Sequence, residues 1–386
     1  MAEDAPYTTQ AHPAQRGGIS GIPGELIDAG FENVAEEDAP YTTQAHPAQR
    51  GGISGIPGEL IDAGFENVAE VGRGGFGIVY RAFQPSLDRT VAVKVLTADL
   101  DPDNLDRFLR EQRAMGRLSG HPHIVTILEV GTTATGRPFL VMQYHQNDSL
   151  EALVRRNGPL DWGEVVRLGV KVAGALEAAH RVGTLHRDVK PGNILISDYG
   201  EPQLTDFGIA RIAGGFQTST GVITGSPAFT APEVLEGAPP TPQSDVYSLG
   251  ATLFSAITGH AAFERRRGEK VVAQFLRITS QPIPNLRGEG LPADVASVIE
   301  KAMARDPADR PDSAAAFGEQ LRQVQREHGV AVDEMAHPVE LGAPRSDLAT
   351  ARSTYGHDTH APRHRPPPRP SIVPRFPPGR GSAAGG

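Results

Sequence analysis

Eight consecutive residues, His186 to Asn193, read HRDVKPGN, and Asp206-Phe207-Gly208 begins thirteen positions after the last of them. Asp188 offers a carboxylate that can accept a hydroxyl proton, Lys190 a cation, Asn193 an amide oxygen and Asp206 a second carboxylate. Oxygen donors of this kind hold magnesium, and a lysine beside them neutralises phosphate charge. The set could therefore bring a metal-bound phosphate up to a hydroxyl nucleophile whose proton Asp188 takes.

Upstream elements must position those groups. Residues 65–83 read as strand, glycine turn and strand, with Gly72, Gly74 and Gly77 followed by Ile78-Val79-Tyr80. The bare GxGxxG spacing also suits a dinucleotide-binding turn or an ordinary hairpin. In a dinucleotide fold the third glycine opens a helix, whereas the β-branched run after Gly77 continues as a strand, with Phe76 placed to cap the hairpin tip. Val91-Ala92-Val93-Lys94 is an apolar strand ending in one cation, and a lysine buried there demands an anionic partner or ligand. Residues 102–119 read as a helix that puts Phe108, Glu111 and Met115 on one side, so Glu111 is the expected partner of Lys94. Residues 124–130 and 137–144 complete five antiparallel strands. Beyond them a short helix over 149–156 and a long one over 162–182 are expected, the latter with Val165, Leu168, Val172, Leu176 and Ala179 as its buried stripe.

This order of motifs resembles the eukaryotic-type protein kinases over residues 65 to 330. The resemblance implies an α+β, bilobal protein kinase fold: a small antiparallel-sheet N-lobe over 65–145 with one helix, and a larger, mainly helical C-lobe over 146–330. It implies an ATP site formed by Val71, Gly72, Gly74, Gly77, Val79, Ala92 and Lys94, with Met142 as gatekeeper and the backbone of Gln143 to His145 as hinge. Magnesium, or manganese in its place, would be held by Asn193 and Asp206. Asp188, Lys190, Lys94 and Glu111 would carry the chemistry. Arg187, Glu233, Asp245 and Arg310 would be structural, Asp245 by fixing the catalytic loop and Arg310 by pairing with Glu233. Thr218 and Thr220, upstream of Ser226, would be the loop residues phosphorylated by the protein itself. His121 and His123 form an HxH pair with no further ligand nearby, and the family has a similar turn there.

The segments RFLREQRAMGRLSGHPHIV, HRVGTLHRDVKPGNIL and GVITGSPAFTAPEVLEG resemble an actinobacterial group of soluble serine/threonine kinases. In that group an ATPase and a helical regulatory region follow the kinase domain, but no GxxxxGK[ST] phosphate loop occurs here. Lys190, two residues after Asp188, and Ser226 favour serine and threonine acceptors in protein substrates. A nucleotide-binding scaffold without chemistry is the competing class, and intact Lys94, Asp188, Asn193 and Asp206 argue against it.

The chain has 386 residues, 39% of them apolar, a soft prior for two or three domains with a sizeable core. It has no cysteine, which excludes disulfides and thiolate metal sites and suits a reducing compartment. The N-terminus lacks an apolar signal, and no stretch approaches the ~18 apolar residues of a membrane span, so a cytoplasmic protein without a membrane partner is expected. A net charge of -9 gives no global basic field, so nucleic acid is not an expected partner. Residues 3–36 recur identically as 37–70, in a unit too glycine-rich to stack as a solenoid. Residues 1–64 are read as a mostly disordered extension, with a helical turn at 56–61. Residues 331–386 are read as a disordered Pro/Arg-rich tail; from 343 on, seven arginines face two aspartates. A regulator acting through that basic tail is the remaining alternative.

Overall fold

The computed structural model describes residues 55–74, 77–97, 105, 108–110, 112, 115–207, 226–287 and 290–336. The first repeat copy, the hairpin tip with Phe76, Glu111, Gly208, Thr218, Thr220 and the tail beyond 336 lie outside them.

The sequence opens the sheet with β1 (Glu66–Gly74), β2 (Gly77–Gln84) and β3 (Arg89–Leu96), and closes it with β4 (Ile127–Thr132) and β5 (Pro138–Gln143), in spatial order β1-β2-β3-β5-β4. All four ladders are antiparallel. Period-two alternation sorts β3: Val91, Val93 and Val95 face one core with Phe65, Tyr80 and Phe139, while Ala92 and Leu96 face another with Phe108, Leu140 and Met142. Lys94 shares the second face by parity. Gly77 sits where a Cβ would come within 2.3 Å of the Val95 carbonyl oxygen, so only glycine lets β2 approach β3 this closely.

One expected element is displaced. The strand expected over 124–130 begins at Ile127, because the Val125 N–H is donated to the Leu204 carbonyl and Ile124 bridges Leu204. Those two apolar residues serve a strand of the helical part instead of the sheet. The helical turn expected over 56–61 forms as α1 (Ile56–Asp62), and it sinks Ile56 and Leu60 into the core with Val91 and Val93. Of the helix expected over 102–119, the described residues from Leu105 to Gly116 are helical.

The helical part begins with α2 (Leu150–Asn157) and α3 (Trp162–Arg181). Each starts where a side chain satisfies a free N–H: Ser149 accepts from Ala152, and Asp161 from Gly163. Such caps stabilise a helix by about 1 kcal/mol each. In α3 the expected stripe is buried, but so are Val166, Val170, Lys171, Ala173, Gly174, Ala175 and Ala178. The helix is enclosed rather than amphipathic, because other helices pack around it. Among them are α5 (Pro242–Thr258), started by a Thr241–Ser244 capping box, and α8 (Ala314–Glu327). Between these two run α6 (Val271–Ser280) and α7 (Ala293–Ala302), while α4 (Pro232–Leu235) is a single turn ahead of α5. A two-stranded ribbon, β6 (Ile194–Ile196) with β7 (Pro202–Leu204), lies beyond α3 and delivers the chain to Asp206. The packed chain runs past 330: Met335 packs on the helical core and the Ala336 carbonyl meets His121. Among the described residues no helix is long and apolar enough to cross a membrane.

Candidate active site

The loop from His186 to Asn193 is shaped by Asp245, a fully buried residue at the start of α5. Its carboxylate accepts the N–H groups of His186 (2.9 Å) and Arg187 (2.8 Å) and meets His180 Nε2 at 2.8 Å. Burial alone would raise the Asp245 pKa, but the hydrogen bond and charge of His180, with the Arg187 N–H, hold it below the usual carboxylate range. Arg187 takes a left-handed φ of 71°, a costly conformation for a non-glycine residue that this anchoring imposes. His180 was not singled out from sequence, since 65 positions separate it from Asp245.

Asp188 donates its N–H to His186 Nδ1 (3.2 Å). The other imidazole nitrogen, Nε2, therefore carries the proton and donates it to the Thr205 carbonyl at 2.7 Å. That bond ties the His186–Asn193 loop to the residue before Asp206. The His186 ring also stacks obliquely on Phe207, 4.5 Å between centroids.

Asn193 donates from one amide nitrogen to the Asp188 carbonyl (2.8 Å) and carboxylate (2.9 Å). Its amide oxygen is the atom left to take a cation. Lys190 Nζ lies 3.2 Å from Asp188 Oδ2 and donates to Ser226 Oγ at 3.4 Å. Lys94 Nζ reaches across from the sheet to Asp206 Oδ2 at 2.7 Å, with only 5% and 11% of the two side chains exposed. The buried lysine thus has an anionic partner, but the described one is Asp206; Glu111 lies outside the described residues. Asp206 also holds a left-handed φ, of 68°.

Among the described residues no cluster of three or more His, Asp or Glu could cage a metal alone. Asn193 and Asp206 provide two oxygen donors, which suits magnesium that completes its shell with water and phosphate oxygens. The paired His121 and His123 bond to backbone carbonyls of Ala336 and Pro202.

The residues expected around ATP lie on β1, β2, β3 and β5 and just beyond β5. Gly72 and Gly74 lie in β1 with Val71, and Gly74 pairs with Gly77 across the hairpin. Val79 is the cross-strand neighbour of Lys94, and Ala92 that of Met142. Met142 is buried and accepts a weak hydrogen bond from Thr205 Oγ1 at 3.9 Å. Gln143 ends β5 with its N–H donated to the Thr126 carbonyl. The His145 side chain is buried, so a nucleotide could meet only its backbone.

Arg310, its side chain fully buried, forks onto Glu233 with two bonds of 2.7 Å. Its remaining donors go to the carbonyls of Ala304, Arg305 and Gln243, and its guanidinium lies 4.9 Å from the Tyr247 ring centre.

Burial pushes the imidazole pKa down at His186, His123 and His145, against whatever nearby carboxylates and carbonyls do to raise it. Each therefore contributes stability that is full above the unfolded pKa of about 6.5 and is lost as pH falls toward the lower folded value. Melting temperature should hold above about pH 7 and drop by several degrees by about pH 5.5, before carboxylates titrate. A flat curve over that interval would contradict neutral, buried histidines.

Comparison with known proteins gives the same answer from a different direction. The protein kinase domain model matches residues 65–321. The serine/threonine-protein kinase PknK of Mycobacterium tuberculosis is 70% identical over 346 residues, 90% of this chain and 28% of PknK. This chain therefore spans just over a quarter of that relative's length. The serine/threonine-protein kinase PknL of Mycobacterium bovis is 37% identical over 282 residues, 72% of this chain and 68% of PknL. The crystal structure of the M. tuberculosis PknI kinase domain matches with a TM-score of 0.51 at 28% identity, covering 68% of this chain and 96% of that one. By motif order, architecture and these likenesses, the chain belongs to the protein kinase family, among its serine/threonine-protein kinases.

Proposed function

We propose that this chain transfers the γ-phosphoryl group of ATP to serine and threonine hydroxyls of proteins in the cytoplasm, in signalling or transcriptional control. The observation that carries the reading is the convergence of Asp188, Lys190, Asn193 and the Lys94–Asp206 pair on one floor between the sheet and the helices. Asp188 orients the acceptor hydroxyl and takes its proton, while Lys190 offsets charge on the transferred group. Asn193 and Asp206 would hold magnesium, which when bound would supply charge neutralisation to the phosphates. Lys94 positions phosphates, with Glu111 as its further partner, and the glycine hairpin covers them. Labelling a mixed protein substrate and hydrolysing it should yield phosphoserine and phosphothreonine; phosphotyrosine as the main product would refute the acceptor assignment.

The protein also acts on itself. Arg187 neighbours Asp188, and in the family this arginine receives a phosphorylated loop residue. Thr218 and Thr220, eight and six positions before Ser226, are the proposed acceptors. A phosphate there brings about -1.5 to -2 charges and one to three charge-assisted hydrogen bonds, enough to order a segment. Thr218→Ala with Thr220→Ala should cut transfer to an added substrate at least about tenfold, or roughly 1.4 kcal/mol of transition-state stabilisation. Full activity in that double variant, or no phosphate on the loop of the purified protein, would refute the switch.

A further inference from the structure

The segment that follows α8 does not leave the molecule where the last helix ends. Asp333 is held from four sides: it exchanges bonds with Gln325 (2.6 and 2.9 Å), its carbonyl accepts from Arg322 (3.0 Å), and its carboxylate faces Lys171 and Arg167 of α3, each at 3.6 Å. Two residues on, Met335 lies over α3 and α8 where both helices carry glycine. A Cβ on Gly318 would come within 2.4 Å of Met335 Sδ, and one on Gly174 within 2.5 Å of the Ala336 carbonyl oxygen. That carbonyl then meets His121 Nε2 at 2.6 Å.

Both ends of this strap reach the strand that leads into Asp206. At one end, Lys171 and Arg167 also bind Glu201, at 2.5 and 2.7 Å, just before β7. At the other, the His121 loop grips β7 along its length. His123 accepts the Leu204 N–H and meets the Pro202 carbonyl, Gln203 donates to the Pro122 carbonyl, and Val125 donates to Leu204. His121 Nδ1 accepts the His123 N–H at 3.1 Å, which leaves Nε2 as the protonated donor to Ala336. Thr205 and Asp206 follow β7 without a break, and Asp206 sits in a left-handed conformation that its surroundings must enforce.

We infer that residues 331–336 form a positioning strap that braces β7, and so fixes Asp206, from the face opposite the cleft. The strap is a part of the catalytic domain beyond the end of its last helix, and Met335, Asp333 and His121 are positioning residues. Its functional consequence rests on reading Asp206 as the magnesium holder; its structural claim does not.

Gly174→Ala provides the test, because alanine is the better helix former while its methyl expels the Ala336 carbonyl. In the full chain, Gly174→Ala and Met335→Asp should speed amide hydrogen exchange at residues 203–206 at least about tenfold over exchange in α5, with Met335→Leu behaving as wild type. The same two variants should raise the magnesium concentration for half-maximal transfer several-fold at an unchanged melting temperature for Gly174→Ala. Unaltered exchange at 203–206 in Gly174→Ala would overturn the strap even if the wild-type chain proved inactive. Faster exchange with an unaltered magnesium response would overturn its coupling to Asp206.

Discussion

Lys94→Met should lower phosphotransfer by about 10²–10³-fold, the loss expected when one preorganised charge is removed from a site where charge develops. Methionine keeps most of the volume on the buried face of β3, so the sheet should stay closed. What disappears is the cation 2.7 Å from Asp206, and with it the group proposed to position the phosphates. The fold should suffer less than a broken buried pair usually implies, because Asp206 opens on the cleft and keeps some exposure. Glu111→Gln should fall between wild type and Lys94→Met. Steady-state kinetics with a peptide acceptor, beside a melting curve, separates the two effects; near-normal turnover in Lys94→Met would assign phosphate anchoring to another residue.

Arg310→Ala should show the reverse pattern, a large loss of stability. It removes both 2.7 Å bonds to Glu233, three bonds to carbonyls and the packing on Tyr247 at once. Stripping one partner from a buried ion pair costs about 3–5 kcal/mol. In a domain of this size that corresponds to a melting temperature lower by about 10 °C. The coupled variant Arg310→Met with Glu233→Leu should recover much of the loss, since it leaves no buried charge unpaired. Calorimetry decides: a shift under about 2 °C for Arg310→Ala would mean that the pair contributes little.

The gathering of Asp188, Lys190 and Asn193 was legible because they share one short loop. The roles of the proton acceptor, lysine, amide and second carboxylate came from the resemblance of their order and spacing to the kinase family. Partner identity was less legible, since it depends on approach across the fold. Lys94 meets Asp206, 112 positions away, and His180 meets Asp245 with no local signal. Apolar pattern located α3 but not its enclosure on all sides, which depends on what packs around it. Ile124 and Val125 read as strand four because burial looks alike whichever sheet receives it. The strap was illegible: 331–336 has no periodicity, and Gly174 and Gly318 are ordinary small residues of a helix until Met335 and Ala336 are seen in contact with them.

One measurement bears most directly on the site as a working catalyst. Purified chain is incubated with γ-labelled ATP, magnesium and a serine/threonine substrate, beside Asp188→Asn, which keeps size and hydrogen bonding but cannot take a proton. The wild-type chain should label the substrate, and the variant should do so about 10²–10⁴-fold more slowly with its melting temperature and ATP affinity retained. Equal labelling by the two proteins would contradict the assignment of Asp188, and with it the catalytic site.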